Sequence, residues 1–171
     1  MIPNQTASLR TGYKHVTVGS HVFHTQVVPP EDIITPFICL NRDGWLFIAE
    51  GYAWDGATGC PDVALILRAS LIHDALYQLI REKHLAYFWR QSADLEFRNA
   101  ILEDGKFLAT HSPSWLKRKT AKAAAKVLAE TAYLAVQAFG EPSATPGSSK
   151  PVLTFPCSFQ LGGMEIGRAH V

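Results

Sequence analysis

Residues 67–79, Leu67-Arg68-Ala69-Ser70-Leu71-Ile72-His73-Asp74-Ala75-Leu76-Tyr77-Gln78-Leu79, constrain this chain more than any other stretch. Leu65, Ala69, Ile72, Leu76 and Leu79 recur at helical spacing. Such an apolar stripe predicts an amphipathic helix over about residues 63–82, buried along one face. Positions three or four apart share a face, whereas neighbours diverge by about 100°. His73 and Tyr77 are therefore expected on one stripe, with Asp74 turned aside. The helix carries a core face and, beside it, side chains capable of acid–base chemistry.

The sequence ahead of this helix has a different period. His15-Val16-Thr17-Val18 and Val22-Phe23-His24-Thr25-Gln26-Val27-Val28 are rich in β-branched and aromatic residues, and Gly19-Ser20 between them predicts a hairpin. A second hairpin is expected from Phe37-Ile38-Cys39-Leu40 and Trp45-Leu46-Phe47-Ile48-Ala49, joined by the turn-forming Asn41-Arg42-Asp43-Gly44. A glycine-rich loop over residues 51–62 follows, with Asp62 placed to cap the central helix. Within it, Trp54-Asp55-Gly56 reads either as a tight turn anchoring an aromatic or as a loop that brings oxygens to a cation.

Beyond the central helix, a second helix is expected over residues 87–103, stopped by Asp104-Gly105. A third is expected over residues 115–139, opened by Pro113-Ser114, basic at its start and apolar later. Residues 1–12 read as a flexible, polar N-terminus and residues 140–171 as a flexible tail, leaving one domain over residues 13–139. Residues 165–171 are compatible with read-through into a sequencing adapter, so His170 is given no role. The fold class that results is α+β: a small N-terminal antiparallel sheet followed by a helical core of three helices.

With 171 residues, 47% of them hydrophobic and 18% charged, the chain suits one globular domain with its own core. A net charge of +1 gives no whole-molecule signal for nucleic acid. Cys39, Cys60 and Cys157 are odd in number and form no Cys-x-x-Cys pair, so neither a zinc knuckle nor a disulfide framework is indicated. No apolar run approaches the roughly 20 residues of a membrane span, and no signal peptide is visible. A soluble protein made in a cytoplasm is the expectation.

Candidate chemistry gathers on His73, Asp74, Tyr77 and Asp94. A histidine whose ring is held by a carboxylate can serve as a general base. Asp94, on the second helix, is the expected partner for His73, which leaves Asp74 for a cation. Calcium takes 6–8 oxygen ligands, and a carboxylate with loop carbonyls is a usual supply. Asp74, Asp55 and the carbonyl of Gly56 are the candidate ligands. The same residues can equally form a buried polar network that joins two helices. Trp115, Lys117, Arg118 and Lys119 open the third helix as a solvated face or as a contact for lipid phosphate. An adjacent His-Asp pair also occurs in metal phosphohydrolases of the HD type. Those need an earlier helical histidine, whereas His15, His21 and His24 fall in β-like sequence.

Two resemblances add to this reading. Gly51-Tyr52-Ala53-Trp54-Asp55-Gly56-Ala57, Arg68-Ala69-Ser70-Leu71-Ile72-His73-Asp74-Ala75-Leu76-Tyr77 and Ala93-Asp94-Leu95-Glu96-Phe97 resemble a phage and bacterial family, domain of unknown function 1353. The likeness covers about residues 34–105 and implies phage or prophage origin rather than a reaction. His73-Asp74-Ala75-Leu76-Tyr77 followed by Ser92-Ala93-Asp94-Leu95-Glu96-Phe97 also resembles the two-helix core of phospholipase A2. That likeness implies that His73 activates water, Asp94 orients it, Tyr77 supports the pair and Asp74 binds calcium, with phospholipid as substrate. The chain departs from phospholipase A2 in its loop glycines, its cysteines and its β-rich first third. The alternative is a non-enzymatic phage structural or accessory protein with another phage protein as partner.

Overall fold

The computed structural model describes residues 5–10, 13–56, 64–148 and 152–157. Among these, the strands of the N-terminal part are β1 (Gln5–Arg10), β2 (His15–Val16), β3 (His21–His24), β4 (Ile33–Ile34), β5 (Ile38–Leu40), β6 (Trp45–Ile48) and β7 (Ala53–Trp54). The helices α1 (Ala64–Arg81), α2 (Arg90–Thr110), α3 (Trp115–Phe139) and the short α4 (Glu141–Ala144) follow, with a 3-10 turn at Tyr87–Trp89 before α2 and strand β8 (Val152–Cys157) last. The class is α+β, as the change of period along the sequence predicts.

The chain divides into two compact units. One comprises Met1–Thr11 and Lys150–Val171, where β1 and β8 pair antiparallel with Gln5 opposite Cys157 and Arg10 opposite Val152. The segments expected as frayed ends thus contain a strand each. Residues 165–171 lie outside the described residues. The other unit, Gly12–Ser149, holds the remaining elements. It extends past residue 139 because Gly140 caps α3 and α4 returns to α1, where Arg81 donates to the Ser143 carbonyl at 2.9 Å.

Within that larger unit a four-stranded antiparallel sheet has the order β3-β6-β5-β4. Ile38 and Leu40 of β5 and Leu46 and Ile48 of β6 are fully buried, while Trp45 and Phe47 face outward. This is the alternation expected of a sheet with one face on a core. The second expected hairpin forms as read. Asn41 Oδ1 accepts from Asp43 N at 3.0 Å and Trp45 N at 2.8 Å, and Gly44 takes a φ of +82°. Only glycine suits that site, since a Cβ there would overlap the Thr25 carbonyl.

The first expected hairpin does not form. β3 pairs with β6, and β2 pairs with β7 instead. Thr17 supplies the reason. Its hydroxyl donates to the Ala49 carbonyl at 2.8 Å and accepts from Tyr52 N at 3.0 Å, while its own N–H donates to the Tyr52 carbonyl at 2.9 Å. These bonds satisfy a buried threonine and tie residues 15–17 to the loop after β6, leaving a bend at Val18-Gly19 between separate sheets.

The helices carry the rest of the core. Partners of α1 fall in number along α2 as α1 advances: Arg68 meets Asp104, His73 meets Phe97 and Asp94, and Tyr77 meets Asp94. The two helices are therefore antiparallel, and Arg98–Glu130 with Arg90–Val136 gives the same relation for α2 and α3. α3 matches its expected bounds. α2 does not stop at Asp104-Gly105 but runs on to Thr110. Asp104 is taken by Arg68 of α1, and Gly105 faces Ala125 of α3, where an added Cβ would overlap that of Ala125. The glycine serves close helix approach rather than termination.

Candidate functional site

His73 lies on the face of α1 turned to α2, as the helical spacing predicts. The residue is 6% exposed and Asp94 is 1% exposed, so both sit in the core. The ring Nε2 is 3.0 Å from Asp94 Oδ1. Tyr77, one turn later on α1, donates its hydroxyl to the same oxygen at 2.6 Å, and its ring packs against the imidazole at 3.9 Å between centroids, tilted by 38°. Phe97 of α2 contacts the ring at 5.2 Å. The predicted trio of His73, Asp94 and Tyr77 is thus brought together as one network.

Asp74 departs from the expected placement. Adjacent helical residues diverge, yet His73 Nδ1 is 3.5 Å from Asp74 Oδ1. Nδ1 is the ring nitrogen nearer the backbone, so a short carboxylate on the next residue reaches it from the side. The contact is an ion pair, too long for a well-formed hydrogen bond. Burial opposes a charge on the imidazole, but Asp74 and Asp94 together outweigh it and raise the His73 pKa above its ordinary value. The Asp74 side chain is 26% exposed, so the Nδ1 edge is the wetter side of the ring.

Asp74 also acts on the sheet. Burial pushes the Tyr52 phenol well above its usual pKa, and the charge of Asp74 adds to that shift. Next to Tyr52, Trp54 donates its indole N–H to Ser70 Oγ at 3.1 Å, fastening residues 52–54 onto α1. Trp54 is thus an anchored aromatic, and Gly56 takes a φ of +73°. Asp55 is half-buried. Among the described residues, no three His, Cys, Asp or Glu side chains converge to hold a metal ion. The remainder of the glycine-rich loop, with the expected Asp62 cap, lies outside the described residues.

Arg90 is a member of the network that the sequence reading did not single out. Its Nε donates to the Tyr77 hydroxyl at 3.2 Å, and its Nη2 donates to the carbonyls of Val136 and Gln137 at 3.1 and 2.9 Å. It sits one turn before Asp94 on α2, and that i, i+4 spacing was the available signal. A Cβ added to Gly140 would come within 2.7 Å of the Tyr77 hydroxyl, so the end of α3 roofs this side of the network. For Tyr77, burial and then the Asp94 carboxylate raise the pKa, and Arg90 opposes them.

Trp115, Lys117, Arg118 and Lys119 lie exposed on the first turns of α3. Arg118 is partly engaged there, donating from Nε to the Ser112 carbonyl at 3.0 Å. Among the described residues no helix is long and apolar enough to cross a membrane. Comparison of the chain with protein-family models, with curated proteins and with solved structures returns no match.

Proposed function

We propose that this is a phage or prophage hydrolase of lipid esters, with His73 as general base, Asp94 as its orienting carboxylate and Tyr77 as their support. The observation that carries the reading is the two-sided setting of the imidazole. Nε2 is held at 3.0 Å by a carboxylate fixed from a second helix, and Nδ1 points to the more accessible side. A neutral ring bound in this way keeps its proton on Nε2 and has its lone pair at Nδ1, where the Asp74 carboxylate 3.5 Å away favours uptake of a proton. In the proposed step a water molecule gives a proton to Nδ1 as its oxygen bonds to the ester carbonyl carbon. The tetrahedral intermediate then collapses, the ester C–O bond breaks, and the departing alkoxide takes the proton back from Nδ1. Asp94 stabilises the imidazolium while it exists.

The raised pKa sets a condition on this chemistry. Below that pKa the ring is already protonated and cannot accept a proton, so the rate should climb through a pKa above 6.5, the ordinary histidine value. Asp74 is the candidate cation ligand, and a calcium ion there would polarise the ester carbonyl. Among the described residues no three His, Cys, Asp or Glu side chains converge there to hold that ion.

The test is hydrolysis of a short-chain phosphatidylcholine by the full chain, with His73→Gln alongside. The proposal expects turnover that falls by about 10²–10⁴-fold in the variant, the range for loss of a general base. No turnover, or turnover unchanged in a folded His73→Gln protein, contradicts it. Calcium that leaves the melting temperature unchanged removes Asp74 as a metal ligand.

A second reading is favoured by burial. With Asp94 only 1% exposed and Gly140 against Tyr77, the same residues serve as a network that fixes α1, α2 and α3 in a non-enzymatic phage structural or accessory protein. Normal stability of His73→Gln and Asp94→Asn would count against that reading.

A further inference from the structure

A separate groove of about 320 Å³ lies between α2 and α3, away from His73. Its floor is apolar, formed by Leu102 and Ala125, where Gly105 lets the two helices touch. Its rim is not. Arg98, Lys106, Lys122 and Lys126 line it with one carboxylate, Glu130. Glu130 is already committed, since Arg98 holds it with Nε 3.0 Å from Oε1 and with a second, shorter bond from Nη2. Lys126 also acts on Glu130, so the rim's one carboxylate answers four cations and leaves an excess of positive charge around a hydrophobic floor.

We infer that this groove binds the phosphate head of an amphiphile, its apolar tail on Leu102 and Ala125 and its phosphate among Lys106, Lys122 and Lys126. Charge complementarity selects the head. Three ammonium groups suit a phosphate that carries up to two negative charges, and lysines bind phosphate as point charges without needing a fixed fork geometry. The apolar floor selects the tail, because free phosphate gains nothing from covering it. Lysine stems can lie along that apolar surface while their ammonium groups stay in water. The assignment stands without the hydrolytic reading, since no residue of the His73 network lines the groove.

The test is calorimetric titration of the full chain with decyl phosphate kept below its micelle threshold. Saturable one-to-one binding is expected, at least tenfold tighter than that of inorganic phosphate or decyl maltoside. The double variant Lys122→Ala/Lys126→Ala, at exposed positions, should weaken it about tenfold without changing the melting temperature. Lys117→Ala/Lys119→Ala, on the same helix but outside the groove, should weaken it less than Lys122→Ala/Lys126→Ala does. Absence of saturable binding overturns the proposal, as does affinity untouched by Lys122→Ala/Lys126→Ala. Equal affinity for inorganic phosphate overturns the role of the tail, and equal affinity for decyl maltoside that of the charge. Equal weakening by Lys117→Ala/Lys119→Ala would show that the whole helix attracts anions and would overturn the groove.

Discussion

Two polar links join α1 to α2, and they differ in how much water reaches them. Near the start of α1, Arg68 donates from Nε to both oxygens of Asp104 at 2.9 and 3.1 Å, and from Nη2 to Glu103 and to the Ala100 carbonyl. The Arg68 side chain is 33% exposed and that of Asp104 27%. Farther along, His73 and Tyr77 share one oxygen of Asp94, at a site where the carboxylate meets almost no solvent. The first link is a clamp whose charges keep much of their hydration when it opens. In the second, Asp94 is almost sealed from solvent, so His73 and Tyr77 depend on that carboxylate for their charge state. The same helix pair thus carries one replaceable fastening and one whose protonation can be used.

The contrast is broken most directly by removing each carboxylate. Asp94→Ala strips both His73 and Tyr77 of their acceptor in the core and should cost about 3–5 kcal/mol in urea unfolding, the usual range for breaking a buried pair. Equal losses for Asp94→Ala and Asp104→Ala would erase the distinction. A change in packing comes next. Gly105→Ala places a methyl group against Ala125 and should cost about 1–3 kcal/mol by overpacking, despite alanine's better helix propensity. Tyr77→Phe leaves the ring contact but removes the hydroxyl between Asp94 and Arg90, for a loss of about 1–2 kcal/mol. Asp104→Ala should cost only about 1 kcal/mol, and that cost should shrink in high salt.

Proton linkage sharpens the same comparison. The folded His73 pKa lies above its unfolded value, so the folded state binds the proton more tightly. Its contribution to stability is complete below about pH 6.5 and is lost as pH rises through the folded pKa. Stability should therefore decline above about pH 6.5 in the parent protein, and this part of the decline should vanish in His73→Gln. A variant at the solvated clamp, Asp104→Asn, should keep it.

Much of this was legible in the sequence where one local pattern decides the outcome. Helical spacing puts His73 and Tyr77 on one face with Asp94 coming from the next helix, and the extent of α3 follows its alanine-rich run. Asn41-Arg42-Asp43-Gly44 announced its own turn. What escaped depends on distant partners. Gly19-Ser20 has hairpin chemistry, yet Thr17 finds its bonds beyond β6. Asp104-Gly105 looks like a stop until Arg68 and Ala125 claim those residues. Cβ direction alone turns Asp74 away from His73, but it does not account for how near Nδ1 lies to the backbone. Arg90 draws its role from α3, some 46 residues on.

The measurement that tests the central claim most directly is a nitrogen-detected NMR titration of the histidine rings, with the His73 signal identified by its loss in His73→Gln. A ring held between Asp94 and Asp74 should carry protons on both nitrogens below a pKa that lies above 6.5, and Asp94→Asn should lower that pKa. A His73 ring that titrates at or below 6.5, or whose pKa is indifferent to Asp94→Asn, would contradict the account.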